Sequence, residues 1–533
     1  MPSLYIPIKN IFFYQVEYLA QVYERKMHFN IPDTQQFICN NTGANFTGFN
    51  IHINGCFHCC LRYKQIHCLH EQLKRCLPGF ILPPFPSKKF LPLTQNQLEN
   101  RRSHLERYIQ LVGQDPVFSK CELLRIFLLN AQQESAQIQS HEVTIDVYLM
   151  NGYRIEVSCY TTDCTSKVLE KAAKKIDLAP QFLDYFTLYL MRTEQNGETT
   201  LIRRLMDFEA PYITQKVLND CQIVIRKSYW DCIYDQALFS NSVALNLLYI
   251  LTLNDVNRGW VLSSSEIREQ LHELQMNGNK KEYLNIARKL PSYGSIKFLN
   301  ATADFPYVNN RVNILIGNKE LSIQSNSNDG KCEETKFKIT RMRCWRITTN
   351  YDNDGKSSSL AADSGSHSSN ITKCTTMELS FEYLMAKNTL QWITITSDCN
   401  AAMLISVCLQ SIVDELLNQR DGHDLRQNID SEQPNQRSQP QSLPVLTYIR
   451  RDGQMCKKPK PKEDNERISS TNSNETLSTL TEGDVPQHVT TESFSFRKKL
   501  KEKLSANTTV FFRNGKDSSV HNDAFEEIGD DDL

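Results

Sequence analysis

The chain has 533 residues, enough for three or four domains at about 150 residues each. Hydrophobic residues make up 40% of it and charged residues 23%, a composition that excludes a wholly disordered chain. The 60 Lys and Arg residues nearly balance the 61 Asp and Glu residues, and the net charge of −1 excludes a uniformly basic surface for nucleic acid. We therefore expect no nucleic-acid partner, and any anion site must be a local pocket.

The N-terminal extension, residues 1–26, contains an apolar stretch that is too short to span a bilayer and is interrupted by Glu17. No later stretch has 18 consecutive apolar residues, so the protein is expected to reach membranes by binding to them. The 17 cysteines are scattered without the dense spacing of small secreted domains, which predicts reduced thiols in the cytoplasm.

Residues 27–140 are predicted to form a first domain. Alternating apolar residues lead to an Asn-Gly turn at 54–55 and return through 56–63, the pattern of a β-hairpin. Helical spacing follows at 66–73. Pro83, Pro84 and Pro86 cannot lie in a helix or a central strand, so 82–86 predicts an extended loop before further helices.

Four more units are predicted in the rest of the chain. Residues 141–228 have the hairpin, helix and later strands of a ubiquitin-like lobe, and residues 229–295 have helical periodicity. Residues 296–420 predict strands closed by one long helix, as in a phosphotyrosine-binding or pleckstrin-like lobe. Residues 421–533 are polar and predicted to be disordered, with a functional motif at the C-terminus. The predicted fold class is α+β and multidomain.

The sequence favours a protein that is not an enzyme and has no cofactor. It lacks the P-loop, the Gly-rich dinucleotide motif, the nucleophile elbow and the zinc-protease motif. Cysteines and histidines cluster at 56–70, but within a strand pattern, where alternate side chains face opposite ways. A zinc site needs paired ligands on turns, so we expect no metal.

Basic and aromatic residues from three predicted elements indicate an anion pocket. Arg62 and Tyr63 end a strand, Lys88 follows the proline-rich loop, and Arg101 lies at the start of a helix. A guanidinium can bind one phosphate through two hydrogen bonds, a lysine adds a point charge, and a tyrosine can stack on a sugar ring. Each charge alone could simply be solvated, but together they predict a site for a phosphorylated sugar ring.

Three stretches resemble the PX domain, the phosphoinositide-binding module of sorting nexins: Arg-Tyr-Lys-Gln-Ile-His-Cys-Leu-His (62–70), Leu-Pro-Pro-Phe-Pro-Ser-Lys-Lys-Phe (82–90) and Arg-Arg-Ser-His-Leu-Glu-Arg-Tyr (101–108). The resemblance implies binding of phosphatidylinositol 3-phosphate. Arg62 would clamp the 3-phosphate, Tyr63 would stack under the inositol, Lys88 would meet the 1-phosphate and Arg101 the 4- and 5-hydroxyls. It also implies a peripheral location on the early endosome membrane.

The order of the later lobes, and the stretches 341–346, 381–385, 390–397 and 524–533, resemble the PX-FERM sorting nexins. This resemblance implies an endosomal cargo adaptor that promotes recycling to the cell surface instead of lysosomal degradation. Its cargo would be the Asn-Pro-x-Tyr, Asn-Pro-x-Phe or Asn-x-x-Tyr motifs in receptor tails of the lipoprotein receptor and integrin type.

Cargo recognition in such a lobe is strand addition, in which a peptide pairs with an exposed sheet edge and fills pockets beside it. We predict that this edge is 391–397, and the resemblance implies that cargo lies between it and the closing helix. Plain core packing is the alternative interpretation for the predicted contact residues, which are Trp345, Trp392, Ile393, Ile395, Val413 and Leu417.

Two motifs are predicted at the end of the tail. Asn522 and Phe525 have the spacing of an Asn-x-x-Phe motif, so the tail is expected to occupy its own groove weakly and to be displaced by cargo. The acidic terminus resembles the family's docking signal for the Retriever recycling complex, although a solvated acidic tail is the simpler alternative. The terminal residues concerned are Ile528, Gly529, Asp531 and Leu533.

Two other functions stay open at this stage. The first is a FERM-type linker between membrane and cytoskeleton, against which stands the absence of an actin-binding helical tail. The second is a scaffold whose ubiquitin-like lobe binds small GTPases.

Overall fold

The computed structural model of the chain describes residues 27–38, 43, 45–89, 91–119, 121–194, 197–326, 332–350, 376–385, 389–428, 447–451, 455–457, 520–522 and 525. The predicted N-terminal extension lies outside these residues. The same holds for four residues of the predicted C-terminal motif, namely Ile528, Gly529, Asp531 and Leu533.

The first domain is a small antiparallel sheet covered by helices. Its strands are β1 (Phe29–Asn30), β2 (Thr34–Ile38), β3 (Asn45–Ile53) and β4 (Cys56–Arg62), and β3 pairs with each of the other three. The β3–β4 turn falls at Asn54 and Gly55, which have φ angles of 50° and 78°. The helices are α1 (Tyr63–Cys76), α2 (Gln95–Gln114), α3 (Pro116–Ser119) and α4 (Glu122–Ala136).

The second lobe is a five-stranded sheet in the order β6-β5-β9-β7-β8, with β5 and β9 parallel. Its elements are β5 (Glu142–Tyr148), β6 (Arg154–Tyr160), α5 (Thr165–Lys175), β7 (Phe186–Thr193), β8 (Thr199–Arg204), α6 (Pro211–Val217) and β9 (Cys221–Lys227). The third lobe is helical, with α7 (Asp235–Leu238), α8 (Ser242–Asn257), α9 (Ser265–Met276) and α10 (Lys280–Ala287).

The fourth lobe is a sheet closed by a long helix. Its elements are β10 (Ile296–Ala303), β11 (Asn310–Gly317), β12 (Glu320–Asn326), β13 (Cys332–Lys338), β14 (Met342–Asn350), β15 (Thr376–Leu384), β16 (Leu390–Asp398) and α11 (Cys399–Asn428). The stretch 399–419 of α11 is long and apolar enough to cross a membrane, but 61% of it is buried inside the protein. We therefore assign it to the core of this lobe.

Buried polar contacts join the lobes. The Arg226 guanidinium of β9 and the Asp255 carboxylate of α8 form two hydrogen bonds, of 3.2 and 3.1 Å, between nearly fully buried side chains. The Glu415 carboxylate of α11 accepts hydrogen bonds from the backbone N–H groups of Trp230 and Asp231. Because a buried charge is tolerated only when it is paired and hydrogen-bonded, these contacts fix the three lobes against one another.

The first domain also packs directly on the module that follows it. The Gln132 side chain of α4 accepts a hydrogen bond from the Ala210 N–H at 2.7 Å and donates one to the Thr214 hydroxyl. A Cβ atom on Gly55 would lie 2.7 Å from the Met403 side chain, so the β3–β4 turn contacts α11. The first domain therefore touches both the second and the fourth lobes.

Short strands lie within the tail region whose composition predicts disorder. They are β17 (Thr447–Ile449), β18 (Met455–Lys457) and β19 (Val520–His521). β17 and β18 pair as a hairpin, and β19 adds to the sheet of the fourth lobe. The sequence interpretation did not anticipate β17 or β18.

Gly113 of α2 provides a test of the packing in the first domain. A Cβ atom there would lie 2.2 Å from Cε2 of the buried Phe29 ring. We expect Gly113→Ala to destabilise this domain by about 1–3 kcal/mol through overpacking. Amide hydrogen exchange of α2 in the whole chain should then accelerate by roughly fivefold to 150-fold. Gly79→Ala is the matched control, since a Cβ atom there meets nothing within 4 Å; equal exchange in the two variants would contradict this packing.

Candidate headgroup and peptide sites

Arg62 lies where β4 passes into α1. Its backbone N–H donates to Gln65 Oε1 at 2.9 Å, which fixes the start of the helix. Its guanidinium carbon lies 3.9 Å from the centroid of the Phe46 ring, and Nη1 donates to the backbone carbonyl of Arg451 at 2.7 Å. The side chain is thus held between an aromatic ring of the sheet and the backbone of the tail.

Tyr63 and Arg101 meet next to Arg62. The Arg101 guanidinium carbon lies 4.4 Å from the centroid of the Tyr63 ring, a cation–π contact. The Tyr63 hydroxyl donates to the Pro86 carbonyl at 2.7 Å, and burial raises the pKa of this phenol. The phenol is therefore a neutral hydrogen-bond donor at physiological pH.

The proline-rich loop brings Lys88 to the same edge of the domain. Arg101 Nη2 donates to the carbonyl of Ser87 at 3.3 Å, so the residue before Lys88 touches the predicted site directly. The Lys88 side chain is exposed. The structure therefore brings Tyr63 and Arg101 into contact, places Lys88 one residue beyond the carbonyl that Arg101 binds, and directs the Arg62 guanidinium to Phe46 and the Arg451 carbonyl.

Arg102, the residue after Arg101 on α2, is engaged elsewhere. Its guanidinium makes ion pairs with Glu99 at 2.7 Å and with Glu106 at 3.0 Å, and its side chain is only 12% exposed. It also donates to the Ile31 carbonyl. Arg102 therefore ties α2 to the chain between β1 and β2, and Arg101 is the arginine that faces Tyr63.

The histidines of the 56–70 cluster make packing contacts. His70 stacks on Phe85 with centroids 4.8 Å apart, and His67 contacts the same ring edge-on at 5.6 Å. Burial lowers the pKa of His58 to about 4, and this ring contacts the Leu128 carbonyl. Within the described ranges no group of three or more His, Cys, Asp or Glu side chains is arranged to hold a metal ion. The cysteines whose side chains are described are free thiols.

The prediction that 391–397 is the exposed edge of the fourth lobe is wrong. This segment is β16, which pairs with β15 on one side and with β10 on the other. Ile393 and Ile395 are fully buried, because their side chains fill the core beneath α11. The outermost strands of the lobe itself are β13 and β14, and the tail strand β19 adds to β14, which makes β14 the edge at which strand addition is observed.

The remaining predicted contact residues differ in exposure. Trp345 is fully buried and its Nε1–H donates to the Ser406 hydroxyl of α11 at 3.0 Å. Val413 is also buried, whereas Leu417 is half-buried on the same helix. Trp392 is 38% exposed and carries the Arg346 guanidinium 4.6 Å from its ring, on the face of β16 opposite Ile393. Of the two predicted contact residues on α11, Leu417 is therefore the one with accessible surface.

The outer edge of β14 is occupied by the chain's own tail. β19 pairs with it antiparallel, with Cys344 opposite His521 and Trp345 opposite Val520. The backbone N–H of Asn522 extends the ladder by donating to the Arg343 carbonyl at 2.9 Å. The tail thus becomes an added strand of the fourth lobe.

Asn522 ends this added strand. Its side-chain amide is 2% exposed and donates two hydrogen bonds of 2.7 Å, to the carbonyls of Ile339 and Met342. The N–H of Phe525 donates back to the Asn522 carbonyl at 3.0 Å, closing a four-residue turn. The two acceptors are backbone groups, so no residue type in the sequence could have identified them.

Comparison with known proteins agrees with this architecture. A PX domain model matches residues 49–131. Models for the FERM F1 lobe of sorting nexins 17, 27 and 31, the F2 lobe of sorting nexins 17 and 31, and the Sorting Nexin 17 FERM C-terminal domain match residues 143–230, 231–291 and 294–417.

Full-length relatives align over most of their length. Sorting nexin-17 of Homo sapiens is 42% identical over 404 residues, which cover 75% of this chain and 84% of that protein. Sorting nexin-17 of Danio rerio is 41% identical, over 79% of this chain and 89% of the relative. Sorting nexin-31 of Homo sapiens is 31% identical, over 73% and 86%.

The chain belongs to the PX-FERM sorting nexins. The predicted fold class, a PX domain followed by the three lobes of a FERM module, is confirmed. Membership of the PX-FERM sorting nexins implies a role in endosomal sorting. The PX domain implies phosphoinositide binding and the FERM module implies protein partners.

Asn522→Ala tests the geometry of the added strand. The substitution removes two buried hydrogen bonds, each contributing about 0.5–1.5 kcal/mol, so the docked fraction of the tail should fall. Amide exchange at Val520–Asn522 should accelerate by about fivefold or more. Asn522→Asp removes the same two donors and also places a carboxylate against two carbonyl oxygens, so exchange should accelerate at least as much. Unchanged exchange in both variants would contradict the docked position.

Proposed function

We propose that the protein is an endosomal cargo adaptor without enzymatic activity, which binds phosphatidylinositol 3-phosphate and the sorting motifs of transmembrane receptors and promotes their recycling. The observation that carries this proposal is the strand β19 on the edge of β14, with the Asn522 amide bound to two backbone carbonyls. It provides a stereochemical template for a cargo peptide.

The tail turn and an Asn-Pro-x-Tyr motif both have asparagine at the first position and an aromatic residue at the fourth. Asn522 is the first residue of the turn and Phe525 the fourth, and the N–H of the fourth residue donates to the carbonyl of the first. Proline is favoured at the second position of such a turn, and its missing N–H ends the strand. A receptor tail with Asn-Pro-x-Tyr or Asn-Pro-x-Phe can therefore form the two side-chain and two backbone hydrogen bonds described above for Asn522.

The tail and the cargo then compete for one site. A tethered segment acts at an effective concentration near the millimolar range, so even weak docking lowers the apparent affinity for a peptide in solution. Cargo of the lipoprotein receptor and integrin type would displace β19. We further propose, on the family resemblance, that Ile528, Gly529, Asp531 and Leu533 dock onto the Retriever recycling complex.

Competition predicts that removing residues 520–533 raises the affinity for an Asn-Pro-x-Tyr receptor-tail peptide, by roughly tenfold for a weak tethered ligand. Isothermal titration of the two chains measures this ratio. Full-length Asn522→Ala should show the same gain while keeping the acidic terminus. Equal peptide affinity in all three proteins would refute competition, and a gain restricted to the truncated chain would assign the effect to charge instead.

The headgroup site is proposed on the cluster of Arg62, Tyr63 and Arg101. A 3-phosphate would bind the Arg62 guanidinium with two hydrogen bonds, and the inositol ring would lie on the Tyr63 face that Arg101 now covers. Arg101 would move from that face to the 4- and 5-hydroxyls, and Lys88 would meet the 1-phosphate. Lipid binding at this site would recruit the protein from the cytoplasm to the early endosome membrane.

Arg62→Ala should weaken binding to vesicles that contain phosphatidylinositol 3-phosphate by roughly 10-fold to 150-fold, the range for one lost charge-assisted contact. Vesicle sedimentation against plain phosphatidylinositol measures the selectivity. Arg107→Ala is the control, since it removes one exposed positive charge from α2. If both variants lose the same small amount of binding, the contribution of Arg62 is only its charge and the assigned pocket is refuted.

A further inference from the structure

A second segment of the tail is bound to the PX domain, far in sequence from β19. Tyr448 of β17 is buried, and its ring lies 5.6 Å from that of Phe127 on α4. Its hydroxyl donates to Glu134 Oε2 at 2.8 Å. The side chain of Gln65 on α1 donates to Glu134 and to the carbonyl of Ile449, so α1 and α4 both hold the strand.

Polar side chains of the PX domain pair with the backbone of this segment at both ends. The Gln72 amide of α1 accepts from the Thr447 N–H at 3.0 Å and donates to the Thr447 carbonyl at 2.9 Å. The Glu134 carboxylate accepts from the Arg451 N–H. Such backbone pairing by side-chain groups favours one register of the bound chain, because the donors and acceptors of Gln72 and Glu134 match backbone groups of Thr447 and Arg451.

Arg451 anchors the end of the segment. Its Nη2 donates to the Cys60 carbonyl at 3.1 Å and to the Ser135 hydroxyl at 3.0 Å, and its guanidinium carbon lies 5.0 Å from the centroid of the Phe37 ring. Phe37 is stacked on Phe46, the ring that carries the Arg62 guanidinium. The tail anchor and the proposed phosphate ligand therefore share one pair of stacked rings.

The carbonyl of Arg451 joins the two sites directly, because it accepts the Arg62 Nη1–H at 2.7 Å. A phosphate held by a guanidinium with two parallel hydrogen bonds uses two of its five N–H groups. It can take the N–H that the tail occupies only by displacing the Arg451 carbonyl, and on the remaining N–H groups it would lie beside that carbonyl oxygen, whose partial charge is also negative. Docking of the segment and binding of the headgroup would then oppose each other, and thermodynamic linkage requires the two effects to be equal.

We propose that residues 447–451 are an intramolecular ligand of a groove between α1 and α4 of the PX domain, and that their docking opposes the binding of a 3-phosphorylated inositol headgroup at Arg62. The proposal rests on the proposed function of Arg62 as the phosphate ligand. It differs from the tail–cargo competition, since it concerns another segment, another domain and another ligand.

The test measures binding of the full chain to vesicles with and without phosphatidylinositol 3-phosphate. Arg451→Ala and Tyr448→Ala each remove an anchor and should tighten lipid binding by about threefold to tenfold, the equivalent of roughly one net hydrogen bond. Arg450→Ala is the matched control, because the neighbouring side chain is exposed and carries the same charge. Loss of a positive charge alone can only weaken binding to an anionic membrane.

Whether lipid binding becomes tighter or weaker therefore distinguishes release of the docked segment from simple loss of a positive charge. Tighter binding by both anchor variants, with unchanged or weaker binding by Arg450→Ala, supports the proposal. Weaker or unchanged binding by either anchor variant overturns it.

Hydrogen exchange separates a failure of this proposal from a failure of the headgroup site. In the wild-type chain, soluble short-chain phosphatidylinositol 3-phosphate should accelerate amide exchange of 447–451 by releasing the segment, whereas short-chain phosphatidylinositol should not. Binding of the phosphorylated lipid with unaltered exchange at 447–451 overturns the linkage. If instead Arg62→Ala binds this lipid as tightly as the wild type, the headgroup site itself is misassigned, and Tyr448→Ala still reports whether the segment docks.

Discussion

The structure depends most on one sheet edge, the outer side of β14, which the tail strand β19 covers. The row of N–H and C=O groups along such an edge is a template for any segment that can complete the ladder. Here the short 3₁₀ turn at Ile339–Arg341 precedes the strand, and the carbonyls of Ile339 and Met342 accept from one buried amide. These two backbone acceptors match the two N–H groups of a single asparagine side chain.

Two tail segments are ligands of two different domains. β19 completes the sheet of the fourth lobe, and β17 lies on α1 and α4 of the PX domain. Each lies where an external ligand is proposed to act, a receptor tail in one case and a lipid headgroup in the other. Because the PX domain and the FERM lobes also contact one another, through Gln132 and Gly55, both events take place on one connected body. With this arrangement, both tail segments would be released from their sites only when cargo and membrane are both present.

The sequence singled out candidate residues where the chemistry depends on residue type. Arg62, Tyr63 and Arg101 stand out as a cation–aromatic–cation set, and in the structure the Arg101 guanidinium lies on the Tyr63 ring while Arg62 lies on Phe46. The outer strand of the fourth lobe could not be deduced in the same way. Apolar and polar residues alternate in both β14 and β16, and only the order of strands in the sheet distinguishes an outer strand from an inner one. Tyr448 and Ile449 were missed because the apolar stretch 443–449 is too short to show a period within a polar tail. Their hydrogen-bond partners Glu134 and Gln65 are 314 and 384 residues away.

The central claim is that cargo replaces β19 on β14. The most direct measurement is amide hydrogen exchange of Val520–Asn522 in the full chain while a receptor-tail peptide with an Asn-Pro-x-Tyr motif is added to saturation. The account predicts that exchange of these amides rises to the rate of an undocked tail, while the amides of β14 stay protected by the new strand. A saturated complex in which Val520–Asn522 keep their protection would contradict the claim, since the peptide would then occupy some other surface.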